Sequence, residues 1–177
     1  MPHLIERASS ARATCRGCGA KIAKGELRFG EQLPNPFADG EGALMTHWFH
    51  MACAAYRRPE AFIDGIAAAE ESTKESIDDR ATLEAEAALG VAHRRLPRVS
   101  TADHAPTGRA TCRACKNLID KGAWRIALVF YEDGRFTPSG YIHATCAKEY
   151  LETTAYRARL KYFSPALSDA ELDEICG

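Results

Sequence analysis

Long apolar stretches are absent from this chain of 177 residues. The longest run of uncharged apolar residues, Ile126–Tyr131, has six residues, whereas a membrane-spanning helix needs about 20. The first seven residues, MPHLIER, also lack the apolar core of a secretory signal peptide. We therefore expect no membrane span and an intracellular protein, located in the cytoplasm or nucleoid if the source is bacterial.

An excess of charge of one sign is also missing, since 23 Lys and Arg face 24 Asp and Glu and the net charge is −1. We do not expect a chain without excess positive charge to coat polyanions such as DNA non-specifically, although local basic patches can still contact phosphate. The chain has no Ser–His–Asp order, phosphate-binding P-loop, glycine-rich dinucleotide motif or paired acids of a kind that would indicate catalysis. We therefore predict that the chain is not an enzyme.

The chain instead contains an internal repeat. The segment RATCRGC at residues 12–18 returns as RATCRAC at residues 109–115, an offset of 97 residues. Further along, HMAC at residues 50–53 is matched by HATC at residues 143–146. Self-similarity of this kind indicates two copies of one small module.

Each copy contains the pattern C-x2-C, a long gap and H-x2-C, with a gap of 31 residues in the first copy and 27 in the second. Three thiolates and one imidazole satisfy tetrahedral zinc and leave no position for a reacting water, so the sites are predicted to be structural. An iron–sulfur cluster is the minor alternative, disfavoured by the histidines. Two zinc ions are expected, with these ligands: Cys15, Cys18, His50, Cys53, Cys112, Cys115, His143 and Cys146.

The pattern predicts an α+β fold of two tandem small zinc-binding modules, each a short antiparallel sheet with flanking helices. Strands are expected over 27–33, 44–49 and 124–131, and helices near each ligand histidine, over 77–89 and after the capping-box pair Ser168 and Glu171. Loop residues are Pro34, Pro36, Asp39, Gly40 and Gly42 in the first copy and Glu132, Asp133, Gly134, Pro138 and Gly140 in the second. The expected domains are 1–97 and 109–177, joined by a linker over 98–108.

The combined pattern resembles the DNA-break-sensing zinc fingers of poly(ADP-ribose) polymerase, which also occur in some DNA ligases. The resemblance rests on the Arg-Ala-Thr-Cys segments, the Ile-x-Lys-Gly segments that follow, and THWFH at residues 46–50. It extends through PEAFIDG at residues 59–65, and the tandem copies cover nearly the whole chain. The resemblance implies recognition of nicks, gaps or ends by DNA structure rather than by sequence.

The resemblance also implies which side chains contact DNA. Phe37, before Asp39-Gly40, resembles the family's base-stacking phenylalanine, with Met45 as its companion, and Phe136 is the candidate in the second copy. Stacking on an exposed base pair does not depend on sequence. The arginines expected to contact phosphate are Arg12, Arg16, Arg28, Arg109, Arg113 and Arg125.

We expect a monomer whose partner is DNA with nicks, gaps or ends, with a DNA ligase or repair enzyme as a further candidate partner. The sequence leaves two other hypotheses about function open. The protein could be an interaction adaptor that keeps only the zinc fold, or a targeting subunit for a DNA ligase or ADP-ribosyltransferase.

Overall fold

The computed structural model of the protein describes residues 3–37 and 43–177. The chain divides into two compact units, Met1–Val91 and Ala92–Gly177, which we call finger one and finger two. The predicted loop residues Asp39, Gly40 and Gly42 lie outside the described residues. Each finger contains one three-stranded antiparallel sheet with helices, so the predicted α+β fold of tandem modules is confirmed.

The sheet of finger one has the order β1-β2-β3. Its strands are β1 (Leu4–Arg7), β2 (Leu27–Pro34) and β3 (Leu44–His50), so both strands predicted in this finger are confirmed. The register places Glu6 and His50 on either side of Arg28. This register brings the last residue of β3, a predicted zinc ligand, next to the start of β2.

Aromatic rings form the core of finger one. Phe29, Phe49 and Phe62 are each 0% exposed, and the ring of Phe29 lies 6.5 Å from that of Phe49 and 5.8 Å from that of Phe62. Gly65 lets the helix that carries Phe62 approach the sheet, because a Cβ at this position would lie 2.6 Å from the Phe29 ring. A core this small usually needs a staple such as a metal ion.

The helices of finger one follow β3 directly. They are α1 (Met51–Arg57), α2 (Pro59–Ala68), α3 (Glu71–Glu75) and α4 (Arg80–Ala92). The helix expected near His50 is confirmed, whereas the helix expected over 77–89 begins three residues later, at Arg80. Ile77 is buried in the connection before α4, which explains why an apolar pattern suggested an earlier start.

Finger two begins with a short 3₁₀ helix, η1 (Leu96–Arg98), and the strand β4 (Val99–His104). The predicted linker over 98–108 is therefore wrong, because β4 pairs with the next strand and is an integral part of the sheet. Val99 and Ala102 are buried, as are Leu96 and Ala105 on either side of β4. Pro97 and Pro106 flank β4, and prolines are typical of linkers, which is why the sequence favoured a linker here.

The other strands of finger two are β5 (Trp124–Glu132) and β6 (Arg135–His143), and the sheet order is β4-β5-β6. The strand predicted over 124–131 is confirmed, but the predicted loop over 132–140 is mostly wrong. Only Asp133 and Gly134 form the turn, with φ of 51° and 75°, which is typical of the tight turn favoured by Asp-Gly. Pro138 and Gly140 lie within β6, where the register with β5 shifts.

After β6 come η2 (Ala144–Cys146), α5 (Ala147–Leu151), α6 (Arg157–Phe163) and α7 (Asp169–Cys176). The helical turn expected near His143 is confirmed. The capping box at Ser168 and Glu171 is also confirmed, with the Ser168 side chain accepting from the Glu171 backbone N–H and the Glu171 carboxylate accepting from that of Ser168. Residues Ile126, Leu128, Ile142, Leu151 and Leu160 are at most 1% exposed and form the core.

Two candidate zinc centres and a candidate nucleic-acid interface

The predicted ligands of finger one converge on one point. The ligand atoms of Cys15, Cys18, His50 and Cys53 all lie within 4.8 Å of one another. His50 Nδ1 lies 3.4 Å from Cys18 Sγ and 3.8 Å from Cys53 Sγ, so Nδ1 is the ligand atom. Its other nitrogen, Nε2, donates to the Lys21 carbonyl at 3.3 Å, the kind of outer contact that fixes the ring of a metal-binding histidine.

Finger two repeats this geometry. Cys112, Cys115, His143 and Cys146 also have ligand atoms within 4.8 Å of one another. His143 Nδ1 lies 3.5 Å from Cys115 Sγ and 3.8 Å from Cys146 Sγ, and Nε2 donates to the Leu118 carbonyl at 3.1 Å. The two centres therefore share ligand types, the coordinating nitrogen and the contact behind the imidazole.

The thiols of each centre differ in the direction in which their surroundings shift the pKa. In finger one a hydrogen bond from Cys53 lowers the pKa of Cys15 to about 4, while burial raises the pKa of Cys18. In finger two burial raises the pKa of Cys146 to about 12. Three sulfurs this close do not all ionise without a positive charge between them, and Zn²⁺ supplies that charge.

Burial and backbone contacts indicate structural centres. Cys15, Cys53 and Cys112 are 0% exposed. The backbone N–H of each ligand histidine donates to the first cysteine of its centre at 3.4 Å. The donor set of three sulfurs and one nitrogen fills tetrahedral zinc, so the expected two zinc ions, one per finger, fit the residues present.

Near the zinc centre of finger one, Arg28 is held on two sides. Its Nη2 donates to the Glu6 carboxylate at 2.5 Å, and its guanidinium lies over the Trp48 ring at 3.6 Å from the ring centroid. The Arg28 side chain is only 10% exposed, whereas that of Glu6 is 46% exposed. Arg28, which the sequence predicts to contact phosphate, is therefore largely buried, whereas the carboxylate that pairs with it faces solvent.

Arg125 in finger two has the same surroundings. Its Nε and Nη2 donate to the two Asp103 carboxylate oxygens at 2.8 and 2.9 Å, and its guanidinium lies 3.8 Å from the centroid of the Tyr141 ring. The hydrogen bonds to Asp103 raise the pKa of Arg125. Asp103 and Tyr141 were not among the residues predicted from the sequence, although Glu6 and Asp103 share the repeat offset of 97 residues.

The other four predicted arginines are exposed on the surface: Arg12, Arg16, Arg109 and Arg113. They flank or lie within the Cys-x2-Cys segments that supply two ligands to each centre. In finger two the Arg113 stem packs against Gly140, where a Cβ would lie 3.2 Å from Arg113 Cδ. Their phosphate contacts stay predictions, and the structure leaves their side chains accessible for that role.

The predicted stacking residues differ in exposure. Phe37, just after the end of β2, is 91% exposed. Met45 is half-buried on β3, opposite Leu33. Phe136 is half-buried beside Tyr131, with ring centroids 4.7 Å apart, so finger two presents an aromatic pair where finger one presents a single ring.

Two zinc-stapled sheets in tandem define a double zinc-finger protein. The family of the poly(ADP-ribose) polymerase and DNA-ligase zinc-finger region matches residues 6–93. Finger one is thus a zinc finger of the PARP type, and the resemblance inferred from the sequence is confirmed. Finger two repeats its ligand set and sheet topology.

Similar proteins carry the same family name. The chain is 32% identical over 71% of its length to poly [ADP-ribose] polymerase 1 of Gallus gallus, and 28% identical over 75% to poly [ADP-ribose] polymerase of Drosophila melanogaster. A match of 40% identity to poly [ADP-ribose] polymerase 1 of Caenorhabditis elegans covers 30% of the chain. These matches cover 13%, 14% and 5% of the relatives' own lengths.

None of the helices in residues 3–37 and 43–177 has both the length and the apolar character needed to cross a membrane.

Proposed function

We propose that the protein binds DNA strand breaks in a zinc-dependent and sequence-independent manner. Finger one uses the loop side chain of Phe37 and finger two the strand side chain of Phe136 to stack on an exposed base pair, and arginines of each finger contact the phosphates beside it. The chain carries out no catalysis itself in this proposal. Nicks, gaps and ends share the required feature, because each exposes the face of a base pair that an intact duplex hides.

The observation that carries this proposal is the 91% exposure of Phe37. A phenylalanine ring in water forgoes the burial that normally stabilises it. The flat face of a terminal base pair is an apolar surface that can cover this ring, and one such contact stabilises binding by about 1–3 kcal/mol. Phe37 lies three residues after the end of β2, a strand of the sheet that carries the zinc ligand His50 on its neighbouring strand.

The arginines support the same function. Arg12, Arg16, Arg109 and Arg113 are exposed, and phosphate contacts of this kind position a protein without reading sequence. The combination of sequence-tolerant stacking with sequence-tolerant phosphate contacts suits a sensor of DNA structure. Phe136 and its neighbour Tyr131 provide the corresponding apolar surface in finger two.

The first test compares zinc-loaded protein on a nicked or gapped DNA dumbbell with its binding to the sealed dumbbell. Fluorescence anisotropy at about 150 mM salt is suitable, because affinity that depends on phosphate falls steeply with salt. Tighter binding to the broken dumbbell supports the proposal. Equal affinity for both DNAs contradicts it and favours the alternative of an adaptor or targeting subunit that recruits a DNA ligase or ADP-ribosyltransferase.

Sedimentation of the free and DNA-bound protein tests the expected monomer. One protein mass per nicked dumbbell supports two fingers of a single chain acting at one break. Two masses per dumbbell contradict that arrangement.

A further inference from the structure

Both fingers contain the same group of three side chains, which we call the acid–arginine–aromatic trio. An arginine at the start of the middle strand pairs with a carboxylate from the first strand and stacks on a ring from the third strand. The trios are Glu6–Arg28–Trp48 and Asp103–Arg125–Tyr141. The geometry recurs although Glu is replaced by Asp and Trp by Tyr, so the arrangement does not depend on one particular set of residues.

Each trio leaves one corner of its guanidinium available. The Glu6 carboxylate accepts a hydrogen bond from Nη2 of Arg28, and the Asp103 carboxylate accepts from Nε and Nη2 of Arg125. The aromatic ring covers one guanidinium face. Within residues 3–37 and 43–177, Nη1 of Arg28 and Nη1 of Arg125 make no hydrogen bond or ion pair, and Nε of Arg28, which has no partner either, is buried. Each arginine is therefore held in one orientation and can donate to a phosphate through Nη1.

The carboxylates also change the electrostatics of the surface. The side chains of Glu6 and Asp103 are 46% and 51% exposed, so their negative charges face solvent beside the arginines. An ion pair attracts a distant phosphate much less than an isolated arginine does, because its two opposite charges nearly cancel beyond a few ångströms. Attraction is regained only when a phosphate lies directly against the Nη1 corner.

We infer that Glu6 and Asp103 are specificity-determining residues of the DNA-break site: they weaken binding to the intact duplex backbone while orienting Arg28 and Arg125 toward the phosphates of a docked break. This inference rests on the proposed function. The stacked side chain at a break fixes where the neighbouring phosphates lie, so an oriented corner can meet one there. The backbone of an intact duplex has no such anchor and meets the carboxylates as often as the arginines.

The test uses Glu6→Gln and Asp103→Asn, which keep the shape and one acceptor oxygen of each side chain while removing its charge. We expect each variant to bind the sealed dumbbell about threefold to tenfold more tightly, an effect of the size that one nearby surface charge produces. Binding to the nicked dumbbell should tighten less or weaken, so the preference for the nick falls. The salt dependence of binding to sealed DNA should become steeper.

Matched controls remove one negative charge elsewhere on each finger. Asp64→Asn lies on α2 and Glu149→Gln on α5, and both residues are exposed. These controls should leave the preference for the nick unchanged. Asp103→Glu restores the charge and should restore the wild-type preference. Zinc content and circular dichroism of every variant identify the folded samples to be compared.

Tighter binding to intact DNA is a gain that a merely structural carboxylate would not produce. A loss of affinity for both DNAs in proportion to lost stability would overturn the inference, as would an equal gain on both DNAs with an unchanged preference. Those results would leave the proposed function standing if the wild type prefers the nick. A wild-type protein without that preference would overturn the proposed function, and the inference with it.

Discussion

Replacing Phe37 by alanine tests the stacking role directly. The ring is 91% exposed in the free protein, so its removal takes almost no buried surface from the fold. Substitutions at such positions usually change stability by at most about 0.5 kcal/mol. Any large effect of Phe37→Ala must therefore arise in the complex with DNA.

The expected size of that effect follows from the same exposure. One aromatic–base stack is worth about 1–3 kcal/mol, which corresponds to a loss of affinity of roughly 5-fold to 150-fold. Because an intact duplex offers no exposed base-pair face, binding to the sealed dumbbell should change by less than about twofold. The preference for broken DNA should fall by nearly the whole factor.

Anisotropy titrations on nicked and sealed dumbbells measure both numbers in one experiment. Ile63→Ala is a matched control, since this apolar residue is exposed on α2 and has no predicted role at the break. Equal losses on the two DNAs, or a loss only on the sealed one, would refute the stacking argument. An unchanged preference would show that the ring does not touch the exposed base pair.

The remaining predictions concern the metal, the phosphate contacts, one buried ion pair and one buried histidine. Removal of zinc by a chelator should unfold both fingers with release of two ions, because zinc contributes on the order of 10–16 kcal/mol in small zinc peptides; unchanged circular dichroism would contradict this. Arg12→Ala and Arg109→Ala should each lower the salt slope of DNA binding by about one unit, and an unaltered slope would mean that the side chain does not touch phosphate. Glu31→Gln should lower the free energy of unfolding of finger one by roughly 3 kcal/mol, as measured by denaturant titration, because Glu31 is 2% exposed and accepts from Arg58 at 2.6 Å; a loss within error would show that the pair contributes little. Burial lowers the pKa of His47 in the folded protein, so the unfolded chain binds a proton at His47 at a higher pH than the folded protein does. The free energy of unfolding linked to neutral His47 should therefore be complete above pH about 6.5 and decline as the pH falls through the lower folded-state pKa. A His47→Gln variant should lose this part of the pH dependence.

The zinc centres were predictable because their information is local and repeated. A pair of cysteines two residues apart and a His-x2-Cys turn carry their own geometry, and the repeat shows which pairs belong together. The strands β2, β3 and β5 were also predictable, since their segments are rich in apolar and β-branched residues. The capping box at Ser168 depends only on residues within one helical turn.

The errors in finger two have a different cause. β4 pairs with β5 over sequence separations of 20 to 29 residues, and no local pattern in 98–108 indicates that pairing. Likewise, Pro138 and Gly140 read as loop residues, yet β5 holds their segment as a strand with a shifted register. In both places a neighbouring strand overrode the local preference of the residues.

Within the amino-acid sequence lie the tandem architecture, the eight zinc ligands and the family, because each depends on residue types at short, repeated spacings. Only the tertiary structure decided which of the predicted arginines are buried and which are exposed. Arg28 and Arg125 became buried members of the acid–arginine–aromatic trios, while Arg12, Arg16, Arg109 and Arg113 stayed exposed. That division arises from strand pairing, which brings a carboxylate and a ring to the same guanidinium from strands far apart in the chain.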